Sequence, residues 1–283
     1  MMTSALQIPP GEAPFDALAF AYDDHFTATR IGRAQREAVT RELDKLFVPG
    51  QRILEINCGD GFDAVRLATR GVEVMACDAA PRMIEVARHR KDEARRQGAL
   101  HAGLSFRVLR IEEITALQEE GFAGHFDGVL SNFSGLNCVK DLTGVACGLA
   151  PLLKPRAAIA ICVFGKFCAW ETLWYLLHAN PGKAFRRVRH QGGIARLAGN
   201  ATIQVYYPSV RQIARAFALE FRLTGRMGIG VTVPPSYLEP LAQRSPGALG
   251  VAVKVDRLLG RLPVFRAIAD HTLLTFERRE RRA

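Results

Sequence analysis

The chain has 283 residues, 48% of them hydrophobic and 23% charged, with a net charge of +10. That length suffices for one large α/β domain or two small ones with a buried core, and the composition excludes collagen-like and low-complexity polymers. No apolar run approaches the roughly 20 residues a bilayer-spanning helix needs, and no basic segment followed by an apolar core opens the chain, so a cytoplasmic protein is expected. The six cysteines show no CxxC pairing and no histidine at metal-ligand spacing, so reduced core thiols and no metal are expected. Much of the positive charge lies in clusters at Arg88–Arg96, Lys183–Arg189 and Arg278–Arg282. Aromatic residues do not interleave with them as a base-stacking site requires, so nucleic acid is not the expected partner.

In chain order, residues 1–14 read as a loose arm with three prolines, and Phe15 to Leu46 as helix broken near Thr27–Gly32. Pro49-Gly50 marks a turn. A strand at Arg52–Ile56, a glycine turn and a helix from Phe62 to Arg70 follow, then a strand at Val72–Cys77 ending on Asp78 and a helix opened by Pro81. Further strands are predicted at Ser105–Leu109, Asp127–Ser131 and Ala157–Phe164, with a helix over Leu142–Leu152. Continuous apolar strands alternating with helices predict a doubly wound parallel sheet. Residues 1–48 form an N-terminal arm and helices, and 49–283 one domain with helical cap insertions at about 165–205 and 234–270. The first insertion reads as an aromatic helix, a basic stretch and a Gly-rich turn. A helix over Pro208–Ala218, a strand near Phe221–Leu223 and a last strand at His271–Phe276 complete the chain. A helix over Val251–Leu262, with Lys254, Arg257 and Arg261, is expected to face solvent; peripheral contact with an anionic membrane is the alternative.

The chemistry concentrates in Glu55-Ile56-Asn57-Cys58-Gly59-Asp60-Gly61-Phe62-Asp63-Ala64. Gly59 and Gly61 let the backbone turn sharply from strand to helix and bring a ligand against main-chain amides. Asp78 ends the next strand, where a carboxylate can accept both hydroxyls of an adenosine ribose. A pyrophosphate needs a helix N-terminus free of anions, whereas Glu55, Asp60 and Asp63 crowd this loop. Those acids suit S-adenosylmethionine, which carries a sulfonium and an ammonium, better than a nicotinamide dinucleotide.

Ile53 to Gly61 resembles the first motif of class I S-adenosylmethionine-dependent methyltransferases, and Val74–Asp78 resembles their second. Phe126–Phe133 is similar to the fourth motif, and Leu152-Leu153-Lys154-Pro155 to the run into their fifth strand. Phe15-Asp16-Ala17-Leu18-Ala19-Phe20-Ala21-Tyr22-Asp23 resembles the N-terminal helix of the group that includes ubiquinone and menaquinone methyltransferases. The resemblance covers about residues 15–165. It implies a seven-stranded Rossmann-like sheet with a reversed last hairpin. It also implies cofactor contacts from Tyr22, Arg33, Glu55, Asn57, Cys58, Gly59, Gly61, Asp78, Ala79, Met83, Arg110, Ile111, Ser131, Asn132 and Phe133. Two positions depart from the family. Asn57 replaces a usual glycine, and a short polar side chain tolerates unusual backbone angles. Arg110 stands where an acid often grips the adenine, leaving that contact to backbone groups or to Glu112.

The expected acceptor is a small apolar or aromatic metabolite, lipid- or quinone-like, methylated by direct displacement. Trp170, Trp174, Tyr206 and Tyr237 are candidate acceptor-binding residues, since apolar pockets mix aromatics with few polar groups. No catalytic base stands out; His178 on the aromatic helix is the candidate. The alternatives are an RNA methyltransferase, favoured by charge alone, a nicotinamide-dependent oxidoreductase on the same sheet, and a non-catalytic nucleoside-binding protein.

Overall fold

The computed structural model describes residues 13–21, 28–189, 192–197 and 201–280. A 3-10 helix, Pro14–Ala21, precedes α1 (Arg30–Leu46), whose N-cap Thr29 accepts the Gly32 amide through its hydroxyl. Three βα units follow: β1 (Arg52–Ile56), α2 (Phe62–Thr69), β2 (Glu73–Asp78), α3 (Pro81–Arg96), β3 (Leu104–Val108), β4 (Phe126–Ser131), α4 (Leu142–Leu149) and β5 (Leu153–Phe164). The C-terminal half adds α5 (Ala169–Leu177), α6 (Pro181–Ala184), β6 (Gly193–Arg196), β7 (Thr202–Val205), α7 (Val210–Phe217), β8 (Phe221–Ile229), α8 (Glu239–Arg244), α9 (Pro246–Leu259) and β9 (His271–Arg278).

Seven strands form one sheet in the order β3-β2-β1-β4-β5-β9-β8, and β6 pairs with β7 in a separate hairpin. β1 to β5 pair in parallel, while β9 runs antiparallel to both β5 and β8. The strands feed a core on each face. Leu54, Ile56, Ile159 and Ile161 enter one, and their neighbours Ile53, Ala160 and Cys162 enter the other. This period-two sharing explains why the central strands read as unbroken apolar runs. The architecture is the seven-stranded α/β sheet with a reversed strand expected above.

The differences from expectation have local causes. β5 starts at Leu153, not Ala157, because Leu153 pairs with Phe126 before a register shift carries the strand past Pro155. α4 ends at Leu149 and tightens into a 3-10 turn over Ala150–Leu152. The first insertion holds the β6–β7 hairpin where only a Gly-rich turn was expected. The second cap helix begins at Pro246, five residues before Val251, with proline in its first turn. Trp170 and Trp174 face inward with Leu249, Ala252 and Val253, around Ile31, Val233, Leu238 and Ala242, so α5, α8 and α9 form one helical layer with its own small core. No helix among the described residues is long and apolar enough to cross a membrane.

Candidate functional site

A cavity of about 520 Å³ opens at the carboxyl ends of β1, β2 and β4. In open parallel sheets this is where the strand order reverses and ligands bind. Its floor is the turn from β1 to α2. Asn57, Gly59 and Gly61 all adopt left-handed backbone, with φ of 54°, 53° and 72°, and the Gly61 amide closes the turn on the Cys58 carbonyl at 3.0 Å. A Cβ at Gly61 would lie 2.7 Å from Ala87 Cβ and 2.8 Å from the Phe106 ring, so α2 can approach α3 and β3 only through glycine. Asn57 takes the strained angle that short polar residues tolerate, and its side chain abuts Gly135, where an added Cβ would fall 2.3 Å away.

Asp78 ties this floor together. Its Oδ2 accepts the Gly59 amide and its Oδ1 the Ala80 amide, both at 2.9 Å, which leaves a further lone pair on each oxygen for a ligand donor. Burial raises its pKa above the ordinary value, against those amides. Ala13, Pro14 and Phe15 close the adjoining wall. Asp16 holds them there by accepting the amides of Ala13 and, from α3, Arg82 at 3.1 and 2.8 Å.

Five acids line the cavity: Glu55, Asp60, Asp63 and Asp78 around the turn, and Glu112 beside Arg110. Arg90 pairs with Asp60 at 2.9 Å, and Arg36 with Asp63 at 2.7 Å. Asn132 also donates to Asp63, at 2.9 Å. The Arg36 guanidinium lies 4.4 Å from the centre of the Phe62 ring and 4.9 Å from that of Phe133. Glu55 differs. It is 1% exposed, and its Oε2 has no hydrogen-bond partner among the described residues. Burial, then repulsion from Asp63, pushes its pKa well above the carboxylate range. A buried carboxyl without a partner is costly unless a donor arrives.

The far end of the cavity is apolar. Val139 and Phe164 line it together with Ala195, Leu197, Ile203 and Val205 of the β6–β7 hairpin. Asn137 straps this wall together: Nδ2 donates to the Tyr206 carbonyl at 2.7 Å, Oδ1 accepts the Phe164 amide at 2.9 Å, and its carbonyl accepts the Tyr206 amide at 2.7 Å. Burial, then Asp78, pushes the neighbouring Cys138 thiol up to about 11, so it stays protonated near neutrality. Behind Phe164, the Arg187 guanidinium stacks 4.9 Å from the ring centre and pairs with Glu171 and Asp270 at 2.8 and 2.7 Å.

Of the residues expected to hold a cofactor, Glu55, Asn57, Cys58, Gly59, Asp78, Ala79, Met83, Arg110, Ile111, Asn132 and Phe133 line this cavity, with Glu112 beside Arg110. Gly61 and Ser131 stand one layer behind it; Ser131 is fully buried and its hydroxyl donates to Asn57 Oδ1 at 3.4 Å. Arg33 is a correction: it is exposed and donates to the Ala28 carbonyl, and Arg36, one turn on, enters the cavity instead. Tyr22 lies outside the described residues.

The expected acceptor residues need correcting as well. Trp170 and Trp174 belong to the core of the helical layer. Tyr237 is 41% exposed and pairs with Tyr175, their ring centres 6.0 Å apart. Tyr206 contributes main-chain groups to the Asn137 strap and does not line the cavity. His178 ends α5 on the surface with Nδ1 2.8 Å from the Trp174 carbonyl, away from the cavity. The sequence places Asn137 in the segment after the fourth strand, which does line the cavity, but Arg36, Phe164 and the hairpin were not expected there. For Arg36 a signal existed: it falls in phase with the buried Gly32, Val39 and Leu43 of α1.

This is an α/β protein with a nucleoside-sized cavity, acidic at one end and apolar at the other, at the switch point of a doubly wound sheet. Residues 47–196, more than half of the chain, match the model of the methyltransferase domain family, and the chain belongs to that family. A demethylmenaquinone methyltransferase of Clavibacter sepedonicus is 33% identical over 58% of this chain and 62% of its own length. A ubiquinone biosynthesis O-methyltransferase of Xanthomonas campestris pv. campestris is 31% identical over 41% of this chain and 44% of its own. The chain therefore aligns with less than two thirds of either relative. A solved S-adenosylmethionine-dependent methyltransferase from Methanosarcina mazei, 16% identical, shares the fold with a TM-score of 0.55 over 84% of this chain and 96% of that one.

Proposed function

We propose that the chain is an S-adenosylmethionine-dependent methyltransferase acting on a small apolar or aromatic acceptor, lipid- or quinone-like. The observation that carries this reading is Glu55, a buried carboxyl with one oxygen lacking a partner among the described residues, lining a cavity with four further acids. An ammonium beside that carboxyl is favourable, whereas a pyrophosphate at the same turn would meet Asp60 and Asp63 at the start of α2. The residues present thus fit the sulfonium cofactor better than a dinucleotide.

On this reading Asp78 accepts the ribose hydroxyls through its remaining lone pairs, and Glu55 accepts from the ammonium. Arg36, held between Phe62 and Phe133, reaches the carboxylate. The cofactor, when bound, supplies an electrophilic methyl group, which an acceptor oxygen, nitrogen or carbon takes in line as S-adenosylhomocysteine leaves. The chain's own part is chiefly positioning and exclusion of water. Phe133 and Asn132 set the near edge, and Phe164, Val139 and the hairpin form the apolar seat for the acceptor. The names of the quinone-methylating relatives agree with that seat.

Titration calorimetry tests the donor half. S-adenosylhomocysteine should bind and NAD should not, and Asp78→Ala should weaken binding at least about a hundredfold, two charge-assisted bonds being lost. NAD binding in place of S-adenosylhomocysteine would overturn the reading. Transfer of a labelled methyl group to a short-chain demethylated quinol, with none to tRNA, tests the acceptor half; the opposite pattern would refute it.

A further inference from the structure

The helical layer has an inner face and an outer one, and the outer one is unusual. α5 turns Trp170 and Trp174 inward, yet also shows Leu173, Leu176 and Leu177, at i, i+3 and i+4 on one face, 55%, 46% and 74% exposed. The Thr172 hydroxyl clips α6 to this helix through the Ala184 carbonyl at 3.2 Å, which brings Phe185, 44% exposed, alongside. α9 repeats the pattern: Leu249, Ala252 and Val253 face the shared core, while Val251 and Leu258 are 62% and 74% exposed on another side. Exposed apolar side chains grouped on one face of a helix, as on α5 and again on α9, mark an interaction surface.

Charge says what the surface meets. Residues 165–197 and 234–268 together hold eleven Lys and Arg against three acids, a surplus of eight within a chain total of +10. All three acids have hydrogen-bonding partners within the protein. Glu171, 1% exposed, is paired with Arg186 and Arg187. Asp256, 6% exposed, accepts the amides of Gly230 and Thr232. Glu239 accepts the amides of Arg30 and Ile31 at the start of α1. Of the cations, Arg186 and Arg187 pair with Glu171, and Arg257 and Arg261 with Glu37 and Glu42 of α1. The charge left facing outward is still basic, with Arg244 and Lys254 exposed.

We infer that the outer face of this helical layer docks on an anionic lipid bilayer, its leucines seated among the acyl chains and its Lys and Arg at the headgroups. A second copy of the chain would set this basic face against itself. A nucleic acid would satisfy the cations and strand Leu173, Leu177 and Leu258 against phosphates. A bilayer answers both features at once. Resting on the methyltransferase reading, the inference also supplies an approach for a lipid-like acceptor, since the hairpin lining the apolar end of the cavity follows directly on this segment, with Ile194 72% exposed.

Vesicle flotation of the full chain tests it. Binding to phosphatidylglycerol/phosphatidylcholine vesicles is expected, with little to phosphatidylcholine alone, and it should weaken as salt screens the headgroups. Leu177→Ser/Leu258→Ser should lower the partition about a hundredfold. Arg244→Gln/Lys254→Gln should lower it about thirtyfold, at roughly fivefold for each cation near an anionic surface. All four sites are exposed, so melting temperatures should match the parent. No binding to anionic vesicles, equal binding to neutral ones, or leucine variants that bind like the parent would overturn the inference. So would retention on tRNA that the leucine variants leave intact. S-adenosylhomocysteine binding measured on the same preparations separates the two readings: cofactor binding without vesicle binding refutes this inference alone, and the converse refutes the donor assignment alone.

Discussion

Replacing Glu55 with Gln preserves the shape of a fully buried side chain and removes the charge that an ammonium would need. Glu55 is 1% exposed, and its Oε2 has no partner among the described residues, so nothing else in the cavity competes for a donor there. A charge-assisted hydrogen bond contributes about 1.5–3 kcal/mol, so the variant should bind S-adenosylhomocysteine about 10- to 150-fold more weakly. Adenosine, which lacks the ammonium, should bind both proteins equally, and calorimetry at pH 8 with the two ligands isolates the interaction. The sign of the pH effect follows from the raised pKa of Glu55. The stability tied to its protonated form is present below the ordinary carboxylate value of 4.5 and is lost as pH rises through the folded value. Without ligand, Glu55→Gln should therefore melt above the parent at pH 8 and with it at pH 4. An ammonium beside the carboxylate favours ionisation, so the parent should release protons on binding S-adenosylhomocysteine, seen as a buffer-dependent heat that the variant lacks. Equal losses of affinity for both ligands, or none for either, would refute the assignment.

Other perturbations probe the floor, the acceptor wall and the frame behind it. Gly61→Ala should destabilise the chain by about 2–4 kcal/mol in denaturant titrations, combining left-handed strain with overpacking against Ala87 and Phe106. Val205→Trp, at the apolar end of the cavity, should raise KM for the acceptor while S-adenosylhomocysteine binds as before; equal losses in both would displace the acceptor from the hairpin. Arg187→Met should cost about 3–5 kcal/mol, because it strands the buried carboxylates of Glu171 and Asp270. Burial alone would raise the pKa of Asp270, but His271 and Arg187 outweigh it and hold the group well below the carboxylate range. Its stabilising contribution is therefore present above 3.8 and lost as pH falls through the depressed value, so parent and Arg187→Met should converge in acid melts.

The donor end was legible because its chemistry is local. Gly59, Gly61 and Asp78 sit within one β-α-β unit, where spacing alone fixes their relation. The apolar end was not, because Asn137, Phe164 and Val205 meet only through tertiary contacts between three separate segments. Trp170 and Trp174 misled for a related reason: helical spacing identifies a shared face but not what covers it, and the cover here is Ala242, Leu249 and Val253. Arg33 and Arg36 differ by one turn of α1, and only the burial phase of that helix separates surface from cavity. The hairpin escaped detection because Ile194, Ile203 and Val205, the large apolar members of its short strands, are interspersed with small and polar residues.

The position of β9 has a consequence for how the chain is made. β5 and β8 both pair with β9, which follows both of them in the chain, and among the described residues β8 pairs with no other strand. During translation the inner five strands can assemble while β5 waits with an open hydrogen-bonding edge, and β8 leaves the ribosome with nowhere to dock. Arg187 waits on the same strand's threshold, since its partner Asp270 immediately precedes β9. Closing the sheet and locking the wall behind Phe164 are thus one late event, and a chain that stops short of residue 270 loses both together.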